Sequence, residues 1–156
     1  MPEEFRRTLT DSDFTLDTET VDGYTCIVLV AATWRKIGTF TVPKGIRMAV
    51  GQRFDAHFYA SFEDSATDEI SAIVRISVSD PTEYDRRPVA EFTTDDVTAQ
   101  TKDKKLQPYA KITPIWVRGD SKIIVEALPL ETRDLQIDVS DKTSCEFRVP
   151  VTFKKE

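Results

Sequence analysis

The stretch FDAHFYASF, residues 54–62, alternates without a break. Phe54, Ala56, Phe58, Ala60 and Phe62 fall on one face, and Asp55, His57, Tyr59 and Ser61 on the other. That period of two is the signature of a strand with one side in a core. The next segment, ISAIVRISV (70–78), repeats it, with Ile70, Ala72, Val74, Ile76 and Val78 opposite Ser71, Arg75 and Ser77. Between them EDSATDE (63–69) is small and polar, so the two runs read as an antiparallel hairpin closed by a seven-residue acidic loop. Near the end CEFRVPVTF (145–153) alternates again. Cys145, Phe147, Val149, Val151 and Phe153 point inward, and Glu146, Arg148 and Thr152 outward. Pro150 cannot donate to a ladder, which places it at an edge or a bulge.

Further strands are expected at 24–33, 37–42, 46–50, 89–93, 109–117, 122–128 and 134–139, and residues 93–106 could hold a helical turn or two. VPKGI (42–46) carries turn chemistry, and VRGDSK (117–122) sets Gly119-Asp120 between apolar runs, a tight-hairpin signal. About nine or ten short strands argue for an all-β fold: a single antiparallel two-sheet sandwich, jelly-roll or immunoglobulin-like.

The first 22 residues differ in being mostly polar, with isolated Phe5, Leu9, Phe14 and Leu16. They fit either a first strand around 13–17 with a frayed tail, or an extended arm that lays those four side chains on a neighbour. The expected organisation is an N-terminal arm, 1–22, followed by the sandwich, 23–156.

At 156 residues, 40% hydrophobic and 31% charged, the chain suits one soluble globular domain. A net charge of −6 with scattered basic residues argues against nucleic-acid partners. The longest apolar run, Cys26 to Ala32, falls far short of the roughly 20 residues that cross a bilayer. The opening residues have no apolar h-region, so synthesis without a secretory signal is expected. Cys26 and Cys145 come without a CxxC pattern or a Cys/His cluster, so buried thiols are expected rather than zinc. Whether they pair depends on whether their strands are neighbours.

Candidate chemistry is sparse. His57 is the one histidine, flanked two residues away by Asp55 and Tyr59. Same-face neighbours on a strand stand about 7 Å apart, too far for a direct hydrogen bond, and no nucleophile motif accompanies it. An outward-facing strand residue is the expected role; no catalytic residue and no cofactor are assigned. The weak metal candidates are Asp11, Asp13, Asp17, Asp64 and Asp68, whose loops could offer calcium its oxygen ligands; solvated loop acids are the commoner outcome. A carboxylate pair for glycoside hydrolysis has no fixed separation here. Arg118-Gly119-Asp120-Ser121 matches the integrin tripeptide but also supplies what a tight turn requires. Trp116 is expected to pack on the core, and Trp34, beside Arg35 and Lys36, to be the more exposed indole.

TWRKIGTFTVPKGIRMAVGQRFDAHFYASF (33–62) resembles a pattern in the capsid-decorating, or cement, jelly-roll proteins of tailed phages and related archaeal viruses, and IWVRGDSKIIVEALP (115–129) resembles their closing hairpins. The resemblance implies a non-enzymatic virion structural protein, assembled in the host cytoplasm. It implies a homo-oligomer, a trimer favoured, that stabilises a shell of a major capsid protein by subunit contacts. Phe5, Leu9, Phe14 and Leu16 would be the anchoring side chains. The alternative is a ligand-binding sandwich for sugar or lipid headgroups, with calcium in its loops.

Overall fold

The computed structural model describes residues 4–50, 55–62, 65–69, 72–93, 115–130, 135–139 and 145–156. The strands are β1 (Glu4–Thr10), β2 (Thr15–Leu16), β3 (Glu19–Val21), β4 (Tyr24–Leu29), β5 (Arg35–Thr41), β6 (Ile46–Val50) and β7 (Asp55–Phe62). They continue with β8 (Ser65–Glu69), β9 (Ala72–Ser79), β10 (Arg86–Thr93), β11 (Trp116–Val117), β12 (Lys122–Pro129), β13 (Leu135–Asp138) and β14 (Cys145–Lys155). One 3₁₀ turn, Asp11–Asp13, is the helical element among the described residues. The all-β antiparallel sandwich expected from the alternation is the fold observed, with more strands because several are only two or three residues long.

One sheet runs β11-β6-β14-β7-β8, with β1 also on β14; the second runs β10-β9-β12-β5-β2; a third, β13-β4-β3, lies with β13 beside β7. Strand β14 organises the first sheet. Val151 pairs with Arg7 of β1 and Val50 of β6, so those two strands flank it on opposite sides. Arg148 likewise pairs with Thr10 and with Asp55 of β7. Strands β6 and β7 therefore follow one another along the same side of β14. Between Val50 and Asp55 their chain advances five residues while β14 advances three, from 151 to 148. Pro150 falls in that break, where a missing N–H costs least, and this accounts for the proline the alternation had marked.

The core lies between the sheets. Cys145, Phe147, Val149 and Val151 of β14 are buried against Ala72, Val74, Ile76 and Val78 of β9 and Ile123, Val125 and Ala127 of β12. Each large apolar side chain withdrawn from water contributes on the order of 1.5–3 kcal/mol. Phe14 stands edge-on to Phe147, ring centroids 4.9 Å apart, and tilted against Phe40 at 5.8 Å. Gly38 passes beneath: a Cβ there would lie 3.3 Å from atoms of Phe14 and Leu16.

Three expectations are corrected. Ser65–Glu69 is not a loop but strand β8, paired with β7 through Tyr59↔Glu69 and Ala60↔Asp68. Strand β9 then joins the opposite sheet, pairing with β10 and β12. Alternation specifies which face of a strand is apolar but not which strand lies beside it. The 117–122 turn is likewise no hairpin: β11 pairs with β6 and β12 with β5, so the turn crosses between sheets. Residues 42–46 make the companion crossing, from β5 to β6. The antiparallel ribbon β5·β12 thus folds over one end of the sandwich and continues as β6·β11, the wrapping of a jelly roll.

The expected boundary at 22/23 passes through the two-residue turn of the β3–β4 hairpin, where Asp22 (φ 51°) and Gly23 (φ 84°) both take the left-handed conformation. Asp-Gly is a strong local signal for such a turn, and the polar composition of 1–22 obscured it. The described part of 1–22 is woven into all three sheets. The helical turn expected at 93–106 lies, apart from Thr93 at the end of β10, outside the described residues.

Candidate functional site: an edge strand and a polar outer face

Three of the four candidate anchors turn inward. Leu9 and Phe14 are buried, and Leu16 packs against the same core. Strand β1 carries Leu9 opposite Val149, on the core side of the sheet. Phe5 shares that face, opposite Phe153, but lies toward the strand's start, and it is 59% exposed. Glu4, Arg6 and Thr8 alternate onto the other face and are exposed. Strand β1 pairs with β14 on one side only, so its second side is an open edge among the described residues.

The metal candidates are occupied elsewhere. Asp13 accepts a hydrogen bond from the Thr10 amide at 2.9 Å and an ion pair from Arg7. Asp11 faces the Phe147 amide at 3.5 Å. Asp17 pairs with Arg35 at 3.5 Å, and Glu19 with the same guanidinium at 3.4 Å. These three aspartates thus act as ties between β1, β5 and β14. Asp64 lies outside the described residues, and of Asp68 only the backbone, in β8, is described. No metal-holding group of three acidic, histidine or cysteine side chains occurs among the described residues. His57 stands opposite Glu146 in the β7·β14 ladder, and its side chain lies outside the described set.

A charged cluster covers the outer face of the second sheet, and no local sequence pattern marks it. The ladders align Glu91, Arg75, Glu126 and Lys36 in one row across β10, β9, β12 and β5, alternating in sign. Glu126 is 3% exposed. Its Oε1 accepts from the Ser77 hydroxyl at 3.0 Å, and its Oε2 from Arg75 and Arg86 at 3.3 Å each. The Arg75 guanidinium lies 3.8 Å from the centroid of the Trp34 ring, a close cation–π stack. The 80–85 turn closes over the same face: Glu83 accepts from Lys36 and from Thr39, each at 3.4 Å. In that turn the Thr82 hydroxyl, bonded to Asp80 at 2.8 Å, holds the Asp80 carboxyl below its ordinary range. With both oxygens engaged and almost no exposure, Glu126 is built as a lock between strands. The residues it joins are up to 51 positions apart, so no local pattern could have shown it.

The indoles exchange their expected roles. Trp34 is half-buried beneath Arg75, whereas Trp116 is 37% exposed with the Lys154 ammonium 5.4 Å from its ring centre. Trp116 sits opposite Ala49, and hence on the outer face, because the β11 register places Val117 inward instead. The Arg118-Gly119-Asp120 segment is a crossing turn with Asp120 at φ 69°. The Asp120 amide donates to Val42 O at 2.8 Å, and a Cβ on Gly119 would lie 2.8 Å from Pro43 O. Glycine is there because two crossing turns touch. Cys26 and Cys145 are both buried thiols, and no disulfide joins them. Burial, reinforced by Asp11 and Glu146, pushes the Cys145 thiol far above its ordinary range.

No protein-family model and no curated protein sequence matches this chain. Solved structures do. One protein of the VP16-VP17 complex, the two major capsid proteins of bacteriophage P23-77, superposes with TM-score 0.59 at 5% identity, over 99% of this chain and 100% of that one. VP17, a capsid protein of the same phage, superposes with TM-score 0.58 at 5% identity, over 98% and 96% of the two chains. At such identity the likeness is one of fold.

Proposed function

We propose that this chain is a structural subunit of a virus particle, working through subunit–subunit contacts rather than by chemistry on a substrate. The observation that carries the reading is that the fold matches two solved phage capsid-protein structures over 96% or more of each chain compared. The organisation of the polar groups supports it. The buried carboxylate, the paired aspartates and the stacked Trp34 hold strands together. The proposed partners are copies of this chain and a major capsid protein, and the proposed location is the virion.

The test is assembly of the full chain. Removing residues 1–22 would strip three strands and two core side chains, Leu9 and Phe14, so a truncated chain is no control. Light scattering and negative-stain electron microscopy, over rising protein concentration and with added sulfate, are expected to show discrete closed assemblies. A chain that stays monomeric throughout, yet is stabilised by a sugar, a phospholipid headgroup or calcium, would transfer the assignment to a ligand-binding module.

A further inference from the structure

The β1 edge is charge-patterned to pair with itself. Around Phe5 the sequence runs Glu3-Glu4-Phe5-Arg6-Arg7, so the sign of the charge reverses on passing through the phenylalanine. In an antiparallel pair of identical strands related by a two-fold axis at Phe5, residue 4 of one strand faces residue 6 of the other. Opposed residues in an antiparallel ladder share a face of the sheet. Glu4 and Arg6 do share a face in β1, being opposite Lys154 and Thr152.

We infer that two copies of this chain associate edge to edge through β1, with Phe5 meeting Phe5 on one face and Glu4 meeting Arg6 twice on the other. The inference deepens the capsid-subunit reading, and rests on it, by naming one contact between copies. Four observations support it. The edge is open on the side away from β14 among the described residues. Phe5 is a large apolar side chain left 59% exposed on that edge. Arg7 is already tied to Asp13, whereas Glu4 and Arg6 are exposed and have no ion-pair partner among the described residues. The pairing is also isologous, so it closes at two copies and does not propagate into a fibre. The bland reading of Glu4, Arg6 and Arg7 is edge protection, charges that keep another strand away. Edge protection needs charge of any order, whereas self-pairing needs this antisymmetric order, and that difference is testable.

The experiment is sedimentation velocity on the full chain and on Glu4→Arg, Arg6→Glu and the double exchange Glu4→Arg with Arg6→Glu. Each single change sets like charges opposite one another at two symmetric places and should weaken dimerisation by roughly tenfold or more. The double exchange restores opposite charges in reversed order and should recover the wild-type association. Both positions of change are exposed, so the thermal midpoints should stay close to wild type and separate association from folding. The inference is overturned if the wild-type chain forms no dimer, if the single variants dimerise as well as wild type, or if the double exchange is no better than the singles. Discrete higher assemblies that form equally in all four proteins would overturn the edge contact while leaving the capsid-subunit reading standing. Monomers throughout would count against both.

Discussion

Replacing Glu126 by alanine tests whether the outer face of the second sheet holds the sandwich together. The carboxylate is 3% exposed and accepts one hydroxyl and two guanidinium hydrogen bonds, from Ser77, Arg75 and Arg86. Removing one member of a buried ion pair costs about 3–5 kcal/mol, because the remaining charge loses its partner in a dry site. Here the two arginine side chains keep 22% and 34% of their exposure, so water recovers part of that loss. The lower end, about 3 kcal/mol, is the expected cost. For a chain of this size each kcal/mol moves the thermal midpoint by about 2–4 °C, so the fall should be about 6–12 °C. Glu126→Gln keeps an acceptor for Ser77 but no charge for the arginines, and should lose about half as much. The assay is reversible thermal or urea unfolding followed by circular dichroism, with a double-mutant cycle against Arg75→Ala. The coupling should exceed about 0.5 kcal/mol. A loss below about 1 kcal/mol in Glu126→Ala, or additive effects in the cycle, would show that the network is ornament on an already sufficient core.

Four further outcomes are expected. Gly119→Ala drives a Cβ to 2.8 Å from Pro43 O and should destabilise by about 1–3 kcal/mol in the same unfolding assay, whereas Arg118→Ala, at an exposed position, should stay within about 0.5 kcal/mol. The reverse order would show that the turn is not what requires the glycine. Chelator should leave the thermal midpoint unchanged, because Asp11, Asp13 and Asp17 already serve backbone and arginine partners; a rise on adding calcium would reassign them. Both thiols should resist a thiol reagent in the native chain and titrate as two after denaturation. Burial raises the Cys145 pKa, so the unfolded thiol ionises first, and stability should fall as pH rises past the ordinary thiol value of 9.0. A folding stability that stays flat through that range would argue against a buried Cys145.

The resemblance to capsid-decorating proteins in residues 33–62 and 115–129 and the match to two solved phage capsid-protein structures agree on an all-β sandwich fold. They differ in kind: the matched proteins are capsid proteins, one pair described as the two major ones, while decoration is the narrower role implied by the short segments. The broader role is the one proposed.

What the sequence determined by itself was the side of each strand that meets the core. Cys145, Phe147, Val149 and Val151 face inward as their alternation requires, as do Ala72, Val74, Ile76 and Val78, because a one-residue slip would carry every apolar side chain into water. The turns were legible too, since Gly45 and Asp120 take the left-handed conformation that turn residues tolerate, whereas Gly119 is required by the approach of Pro43 O from the neighbouring turn. Only the tertiary structure decided which strands became neighbours. Period two contains no partner information: the pattern alone makes 63–69 a loop and 70–78 the hairpin partner of 54–62, whereas β8 pairs with β7 and β9 with β12 in the other sheet. The same limit hid the chemistry of the outer face. Glu126 and Arg75 are unremarkable polar residues in their own strands, and they become a buried pair only when strands 51 residues apart are laid side by side. The short apolar residues of 1–22 were visible, but whether they anchor a neighbour or this chain was not: Leu9 and Phe14 find their own core because β1 reaches β14, and Phe5 stays outside because it lies at the exposed start of that strand.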